Sequence, residues 1–294
     1  MPTKAKRLVM MAAIATAAVL GFQSAGAQSG QSKAGAAGAG NMSDREKTIR
    51  SAADALDIVR WSDIGAGATR LPGVDVVTTM EFWGSGTAYS GGQSYKTDYH
   101  AALAYNPPAM RVEMTRAGGD AAHTFQVVRE KYAWDESELG GGLVPGKGTA
   151  TAAMNAGKER LLQLYILPYG VIKAAVAAGD KTKVSTENGA QVLTFPLSGE
   201  LAGVTVKATL DAKNFVTKVE TKADDPALRN LNLEAEFTDY ADHGEIPTDV
   251  KSPGHIVEKQ GGKPMLDLQI KTWDANNPYL VFPVPENVKK AGGQ

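Results

Sequence analysis

Four histidines are the residues of this chain with the clearest potential for metal binding or acid–base catalysis. They are His100, His123, His243 and His255. A zinc hydrolase needs histidines and carboxylates that converge on the metal, and short ligand-spaced motifs are the usual sequence sign of this. No two of these histidines are closer in sequence than His243 and His255, so none belongs to such a motif. The sequence therefore predicts scattered histidines and no metal site.

Other catalytic motifs are also missing or incomplete. The chain has no cysteine, which excludes disulfides, thiol catalysis and iron–sulfur clusters. No serine lies in a G-x-S-x-G motif. The segment Gly141–Thr149 nearly fits a phosphate-binding loop, but Gly148 occupies the position of the magnesium-binding serine or threonine. Asp135, Glu136 and Glu138 could pair for acid–base work, but a solvated acidic loop is the default interpretation of these residues. We predict no catalytic residue, no cofactor and no enzymatic activity.

The N-terminus has the features of a secretory signal peptide. Lys4, Lys6 and Arg7 precede the apolar run 8–22, and a small-residue cleavage pattern ends at Ala27. The run is too short and too rich in alanine for a membrane anchor. The sequence therefore predicts a signal peptide over residues 1–27, a periplasmic location and no transmembrane segment in the mature protein.

Removal of the signal peptide makes the protein mildly acidic. The full chain has a net charge of −1, and cleavage after Ala27 removes three basic residues and no acidic one, which leaves −4. A negative surface of this kind argues against binding to nucleic acids and against adsorption to anionic lipids. We expect a soluble exported protein whose stability depends on its apolar core.

Alternating apolar and polar residues predict about a dozen short strands. Examples are Gln93–Tyr105, where Tyr95, Tyr99, Leu103 and Tyr105 share one face, and Val204–Leu210. Turn residues separate the strands, and no strand alternates with a helix as a parallel nucleotide-binding sheet would require. The pattern predicts an α+β fold that is mainly β, an antiparallel meander curled into a barrel or half-barrel.

Helices are predicted at two places. Ser43 and Glu46 form an S-x-x-E capping box ahead of an amphipathic helix that we expect to reach about Arg60. In the middle of the chain, the apolar run Leu161–Gly179 reads as two short helices that are broken at Pro168 and end at Gly179. Helices this apolar must pack against a surface, which the neighbouring strands can provide.

Several segments, taken in order, resemble a known module. They are NPPAMRVEMTR (106–116), KYAWDE (131–136), LPYGVIKAA (167–175) and DYADHGEIPTDVKSPGHIVEKQGGKPMLDLQI (239–270). Together they resemble the N-terminal module of exported bacterial metallo-β-lactamase-fold hydrolases. That module is similar to the periplasmic lipoprotein-carrier (Lol-type) fold, an open antiparallel half-barrel with helices over its concave face. The resemblance implies two central helices over the concave face and a cavity of lipid size.

This chain departs from the family pattern in two respects. The hydrolase domain would follow the module, whereas this chain ends at Gln294. Relatives often carry a histidine where Tyr169 stands, so any role of that histidine is not transferred. With this resemblance, we divide the chain into the signal peptide, a flexible spacer at 28–42, one half-barrel domain at 43–288 and a disordered tail at 289–294.

Two interpretations of the apolar residues remain open. If the central helices pack tightly on the strands, these residues form a core; if they stand off, they form the lid of an apolar ligand pocket. Apolar stripes usually form a core, and the resemblance shifts the interpretation toward the pocket. Gly170 would then ease bending of the lid at Pro168. The predicted pocket residues are Leu164, Tyr165, Leu167, Val171 and Ile172 on the helices, and Trp83, Tyr99, Trp134 and Leu268 on the strands.

The function that follows is a non-enzymatic binding or carrier-like module for an apolar, lipid or acyl ligand. The alternative is a structural or interaction module that docks onto a separate envelope protein or hydrolase. A ligand bound to the purified protein would support the first hypothesis, and a stable protein partner would support the second.

Overall fold

Thirteen strands in one antiparallel sheet make up most of the structure. The computed structural model describes residues 42–58, 77–117, 123–224, 228, 231–245 and 249–293. The predicted signal peptide (1–27) and the predicted spacer (28–42), apart from Met42, lie outside the described residues. Gly118-Gly119-Asp120, a sequence typical of a turn, also lies outside the described residues.

The strands follow the chain in two consecutive meanders. The first contains β1 (Thr79–Ser90), β2 (Gln93–Tyr105), β3 (Pro108–Arg116), β4 (His123–Arg129), β5 (Tyr132–Glu136) and β6 (Ala150–Ala152). The second contains β7 (Lys183–Glu187), β8 (Ala190–Pro196), β9 (Val204–Leu210), β10 (Val216–Ala223), β11 (Leu233–Thr238), β12 (His255–Gln260) and β13 (Lys263–Ala275). The sheet order is β6-β5-β4-β3-β2-β1-β13-β12-β11-β10-β9-β8-β7, so the meanders join where β1 pairs with β13. The prediction of a mainly β, antiparallel and open sheet is confirmed.

Turn chemistry sets the strand boundaries. Gly91 and Gly92 have φ values of 58° and 79°, which suit the two-residue turn between β1 and β2. The strands Gln93–Tyr105 and Val204–Leu210 begin and end at the predicted residues. The alternating pattern of residues 74–82 predicts a strand there; residues 74–76 lie outside the described residues, and β1 continues beyond residue 82 through Gly84 and Gly86 to Ser90. The pairing with β13 shifts register between Trp83 and Gly84, an irregularity that glycine within a strand commonly marks.

The central helices connect the two edges of the sheet. Helix α2 (Gly157–Ile166) and helix α3 (Pro168–Ala178) lie between β6 and β7, which are the two edge strands. The chain must therefore cross the full width of the sheet, and it covers one face as it does so. Leu167 is extended (φ −64°, ψ 147°), and the two helical segments meet at a bend of 95°. The predicted break at Pro168 and the predicted stop at Gly179 are both confirmed.

The N-terminal helix, α1 (Asp44–Ala55), is capped as predicted. The Ser43 backbone N–H donates to Glu46 Oε2 at 2.8 Å, and the Glu46 backbone N–H donates to Ser43 Oγ at 3.3 Å. The helix ends earlier than Arg60, because Leu56 caps it and Asp57 takes a positive φ of 54°. Residues 59–60 lie outside the described residues.

Each face of the sheet carries its own apolar cluster. The larger cluster joins α1, α2 and α3 to the face that they cover, here called the helix-covered face. A smaller cluster lies on the opposite, outer face and includes Val127, Tyr132, Trp134, Phe282 and Val288. Alternation along the strands produces this division, since successive side chains point to opposite faces.

The C-terminal segment differs from its prediction. The three prolines within residues 276–294 predict a segment without regular structure, but helix α4 (Glu286–Ala291) forms there, with Pro285 as its N-cap. Val288 is fully buried in the outer-face cluster, which anchors the helix. The predicted domain boundary at 288 therefore falls inside a packed helix, and the disordered tail predicted at 289–294 is wrong as far as residue 291.

Within the described residues, no single helix has both the length and the apolar character needed to cross a membrane, and one pair, Met154–Ile166 with Pro168–Lys181, meets these criteria only when its two bent segments are taken together.

Candidate functional site

Most of the predicted pocket residues form a filled core. Six of the nine have side chains that are at most 7% exposed and belong to the cluster on the helix-covered face. These six are Leu164, Leu167, Val171, Ile172, Tyr99 and Leu268. The helices therefore pack directly on the strands at these positions, which favours the core interpretation for them.

Two of the predicted pocket residues lie on the wrong face. Trp134 is buried in the outer-face cluster, where its Nε1 donates to Glu136 Oε1 at 2.9 Å. Trp83 stacks on His100 with ring centroids 4.6 Å apart. Its neighbour Phe82 points to the helix-covered face, so strand alternation turns Trp83 away from the helices. The prediction that both tryptophans share a pocket with the helices is wrong.

The remaining residue, Tyr165, lines a cavity of about 410 Å³ at the margin of the helices. We call this the helix-margin cavity. Its volume falls within the range of about 300–1,000 Å³ that is typical of small-molecule sites. Its wall consists of Tyr105 on β2, Tyr165 on α2, Lys173, Ala174, Ala177 and Ala178 on α3, Lys181 just beyond it, and Pro196, Leu197 and Ser198 at the end of β8.

The bend at Pro168 positions this wall. Lys173, Ala174, Ala177 and Ala178 recur at helical spacing, so they occupy one side of α3. The small alanine side chains leave open space where larger residues would fill it. Tyr165 comes from the last turn of α2, which the bend brings beside α3.

Lysines supply the formal charge of the cavity wall. Lys173 Nζ lies 5.0 Å from the centre of the Tyr105 ring, a distance typical of a cation–π contact. Lys181 lies just beyond the C-terminal end of α3 and is exposed. Its neighbour Asp180 forms an ion pair with Arg45 of α1, so that carboxylate is already engaged. None of the described residues that line the cavity is a carboxylate.

The two tyrosines of the wall are neutral hydroxyl groups. Burial raises the pKa of Tyr105 far above its usual value, the nearby Tyr165 raises it further, and the backbone N–H of Gly170 lowers it in part. The Tyr105 hydroxyl oxygen is buried without a hydrogen bond of good geometry. Burial also raises the pKa of Tyr165. Both phenols therefore stay protonated at neutral pH.

Tyr169, which stands where relatives often carry histidine, has a structural environment. Its side chain is fully buried, and its hydroxyl donates to the backbone oxygen of Lys251. Its ring meets the edge of Trp273 at a centroid distance of 6.0 Å. These contacts tie the first turn of α3 to the second meander.

Histidines and carboxylates form a row on the outer face that sequence reasoning missed. His100 lies between Glu81 and Glu113, with nitrogen–oxygen distances of 3.2 and 3.3 Å, and His123 approaches Glu113 at 2.6 Å. Strand register produces the row, since His100 pairs directly with Glu113. The hairpin turn at Asn106–Pro107 could have given this register from the sequence.

The other two histidines have separate partners. His255 Nε2 lies 2.7 Å from Asp267 Oδ1, and His243 Nε2 donates to the backbone oxygen of Asp239 at 3.0 Å. Across the part of the chain that the structure describes, no three His, Asp or Glu side chains are arranged to hold a metal ion. The loop at 141–149 leads into strand β6 rather than into a helix, so it differs from a phosphate-binding loop.

Sequence reasoning also missed Tyr105, Lys173 and Lys181 as site residues. The run KAAVAA at 173–178 could have indicated the site. It places one lysine and three alanines on the same side of a helix, and such small side chains leave space for a ligand. Which strand ends face that surface depends on how the chain crosses the sheet, and the local sequence does not specify this.

Comparisons with known proteins leave the family open. No family model matches the chain, and no curated protein sequence matches it. Among solved structures, the chain is similar to a DUF1329 family protein from Desulfovibrio piger, with 6% sequence identity and a TM-score of 0.44. The match covers 80% of this chain and 94% of that protein. A likeness at this level establishes neither the family nor the function.

Proposed function

We propose that this protein is a non-enzymatic binding module of the bacterial periplasm, with a carrier-like role for a ligand that has an apolar or acyl group. The ligand would occupy the helix-margin cavity. We further propose that the open sheet is curved as a half-barrel, with α2 and α3 over its concave face. Open sheets of more than about ten strands usually curl, which supports this proposal.

The observation that carries the proposal is the cavity itself. The methyl groups of Ala174, Ala177 and Ala178 provide an apolar wall, and Pro196 and Leu197 face them. Hydroxyl and ammonium groups lie at the same wall, so the cavity combines apolar surface with polar groups that could orient a ligand. The cavity lies beside the predicted pocket, at the end of the helices rather than beneath them.

A cavity-filling variant tests the proposal. We expect Ala177→Trp to abolish ligand loading, because Ala177 is exposed on the cavity wall and an indole there would occupy the space without entering the core. The measurement is native mass spectrometry of protein isolated without detergent, compared with the denatured mass. Wild type should show an added mass that disappears on denaturation.

The matched control is Ala212→Trp, in the exposed turn between β9 and β10, which should load like wild type. Equal loading of Ala177→Trp and wild type would place the ligand elsewhere. Wild-type protein that carries no ligand and takes up no apolar compound in vitro would contradict the proposed function.

One specific observation favours the alternative function, a module that docks onto another envelope protein. Among the described residues, the exposed large apolar side chains all come from two segments, the loop at 137–149 and the segment after β13. Four of them line one cavity of about 380 Å³ on the outer face: Leu139, Leu143, Tyr279 and Val281. Exposed apolar patches of this kind commonly mark interaction sites.

The docking alternative predicts that Val281→Asp loses its partner. Val281 is 67% exposed, so a charge there leaves the core intact and opposes only an apolar contact. Tagged wild type and variant would be compared side by side for stoichiometric retention of one envelope protein, with Ala212→Asp as the exposed control. The alternative is rejected if the two proteins retain the same set of partners.

A further inference from the structure

We propose that two copies of this chain associate through strand β7 (Lys183–Glu187), so that their sheets join edge to edge about a two-fold axis. The proposal goes beyond ligand binding and does not depend on the helix-margin cavity. It rests on an open sheet edge, on the backbone groups that face this edge, and on opposite charges at the two ends of the strand.

The two edges of the sheet differ in how they are covered. Strand β6 has three residues, helix α4 lies against it, and Asn287 Nδ2 donates to the backbone oxygen of Ala150 at 2.7 Å. Strand β7 has five residues, all of them exposed except Val184. Among the described residues, no strand pairs with its outer edge. An uncovered edge of this kind is a template for pairing with another chain.

Helix α1 covers only part of β7. The helix lies near the strand on the helix-covered face, where Val184 packs on the large apolar cluster. Thr186 points to the same face by strand alternation, yet its side chain is exposed. The half of the strand that leads into the following turn is therefore open to a second chain.

The hairpin between β7 and β8 determines which backbone groups face the free edge. Its two-residue turn at 188–189 has φ values of 52° and 83°, as a type I′ turn requires. The residues that flank such a turn, Glu187 and Ala190, form a hydrogen-bonded pair, and hydrogen bonding to β8 then recurs at every second residue. The N–H and C=O groups of Val184 and Thr186 therefore point away from β8, toward the free edge.

Pairing of β7 with its own copy, centred on Ser185, satisfies these backbone groups. Val184 of each copy then lies opposite Thr186 of the other, and the two residues exchange N–H···O bonds. The same register places Lys183 opposite Glu187 of the second copy, and symmetry repeats this pair at the other end of the strand. Only this centre brings both charged residues into register.

The charges of β7 favour a second copy over an unrelated strand. A lysine at a sheet edge usually opposes pairing, but here Lys183 would meet a carboxylate. In the described part of the chain, Lys183 is exposed and has no paired carboxylate. Glu187 is 47% exposed, and its Oε2 lies 2.7 Å from Lys207 Nζ, so its other oxygen can accept from Lys183 of the second copy. Opposite charges directly across a strand pair are stabilising.

The first measurement is sedimentation equilibrium of the purified protein over a range of concentrations. A pair of five-residue strands is a small contact, so we expect a reversible dimer with a dissociation constant of about 10–100 µM. Because the charged pairs are exposed, the dimer should weaken as ionic strength rises. A protein that stays monomeric up to about 1 mM would overturn the proposal.

Charge reversal tests the pairing of Lys183 with Glu187. Lys183→Glu and Glu187→Lys should each weaken the dimer about tenfold or more, because both charged pairs become repulsive. A mixture of the two variants should associate more tightly than either variant alone, since each pair again joins a lysine to a glutamate. Lys213→Glu, in the exposed turn between β9 and β10, is the matched control and should dimerise like wild type. Failure of the mixture to associate would overturn the proposed register.

Proline substitution tests the backbone pairing. Thr186→Pro removes an N–H that faces the free edge and keeps the hydrogen bonds to β8, so the dimer should be lost. Thr186→Ala retains the N–H and should dimerise like wild type. Unchanged thermal unfolding of the dilute proteins would exclude misfolding as the cause. A dimer that persists unchanged in both Thr186→Pro and Lys183→Glu would use another surface, and the proposal would be wrong.

Discussion

Replacing Gly170 with alanine is expected to destabilise the protein by about 3 kcal/mol or more. A methyl group at this position would lie 2.1 Å from the backbone oxygen of Leu164 and 2.9 Å from Cα of Tyr165. Both atoms belong to the backbone of α2, so no side-chain rotation can relieve the overlap. The two helices would have to separate, and the buried contacts around the 95° bend would be lost.

Gly157→Ala is the matched control for this substitution. A methyl group there would lie 3.6 Å from Cβ of Ala133, an ordinary contact, and alanine is a better helix former than glycine by about 1 kcal/mol. We expect this variant to be as stable as wild type or slightly more stable. Urea denaturation of the three proteins gives the comparison. A Gly170→Ala variant within about 0.5 kcal/mol of wild type would show that the close approach of the helices is not needed.

Stability is expected to fall by about 3 kcal/mol between pH 4.5 and pH 7 through one residue, Glu258. Its side chain is only 9% exposed, and burial raises its pKa from 4.5 to about 7. In the unfolded chain the carboxyl group loses its proton near pH 4.5, while the folded protein keeps it until about pH 7. The unfolded state therefore binds fewer protons over this window, so the free energy of unfolding decreases as pH rises.

Glu258→Gln isolates this contribution because the amide stays neutral at every pH. The variant should match wild type most closely below pH 4.5 and should be more stable by up to about 3 kcal/mol above pH 7. The measurement is urea denaturation across pH 4 to 8, with Glu200→Gln, an exposed position, as the control. Parallel curves for wild type and Glu258→Gln would contradict the expectation. The same charge acts on Tyr99, whose pKa is raised first by burial and then by Glu258.

Local sequence predicted the strands well because their signals are local. Turn residues and alternating side chains identified the bounds of the strands Gln93–Tyr105 and Val204–Leu210, and Pro168 identified the position of the helix break. The end of β1 was misplaced because Gly84 and Gly86 interrupt its apolar pattern, although backbone pairing with β13 continues through them. Helix α4 was missed because it is short and follows several prolines; its stability comes from the burial of Val288.

The candidate site was predicted less well because it depends on long-range packing. The spacing of residues in α2 and α3 identified apolar side chains, but most of them fill the core, as Leu164 and Val171 do. The cavity depends on which strand ends lie beside the last turns of α3. That arrangement follows from the crossing between edge strands β6 and β7, and it brings Tyr105 and Lys173 together across most of the first meander.

The pairing of β1 with β13 has a consequence for how the chain acquires its structure. The two strands at the middle of the sheet are the first and the last to be synthesised, and Phe82 pairs with Trp273 across most of the sequence. Such a distant contact is slow to form, and until it forms β1 keeps a long unpaired edge that other chains can pair with. A nascent chain therefore needs protection from aggregation until its last strand is available. For the same reason, truncation before β13 would divide the sheet at its centre rather than shorten it at an edge.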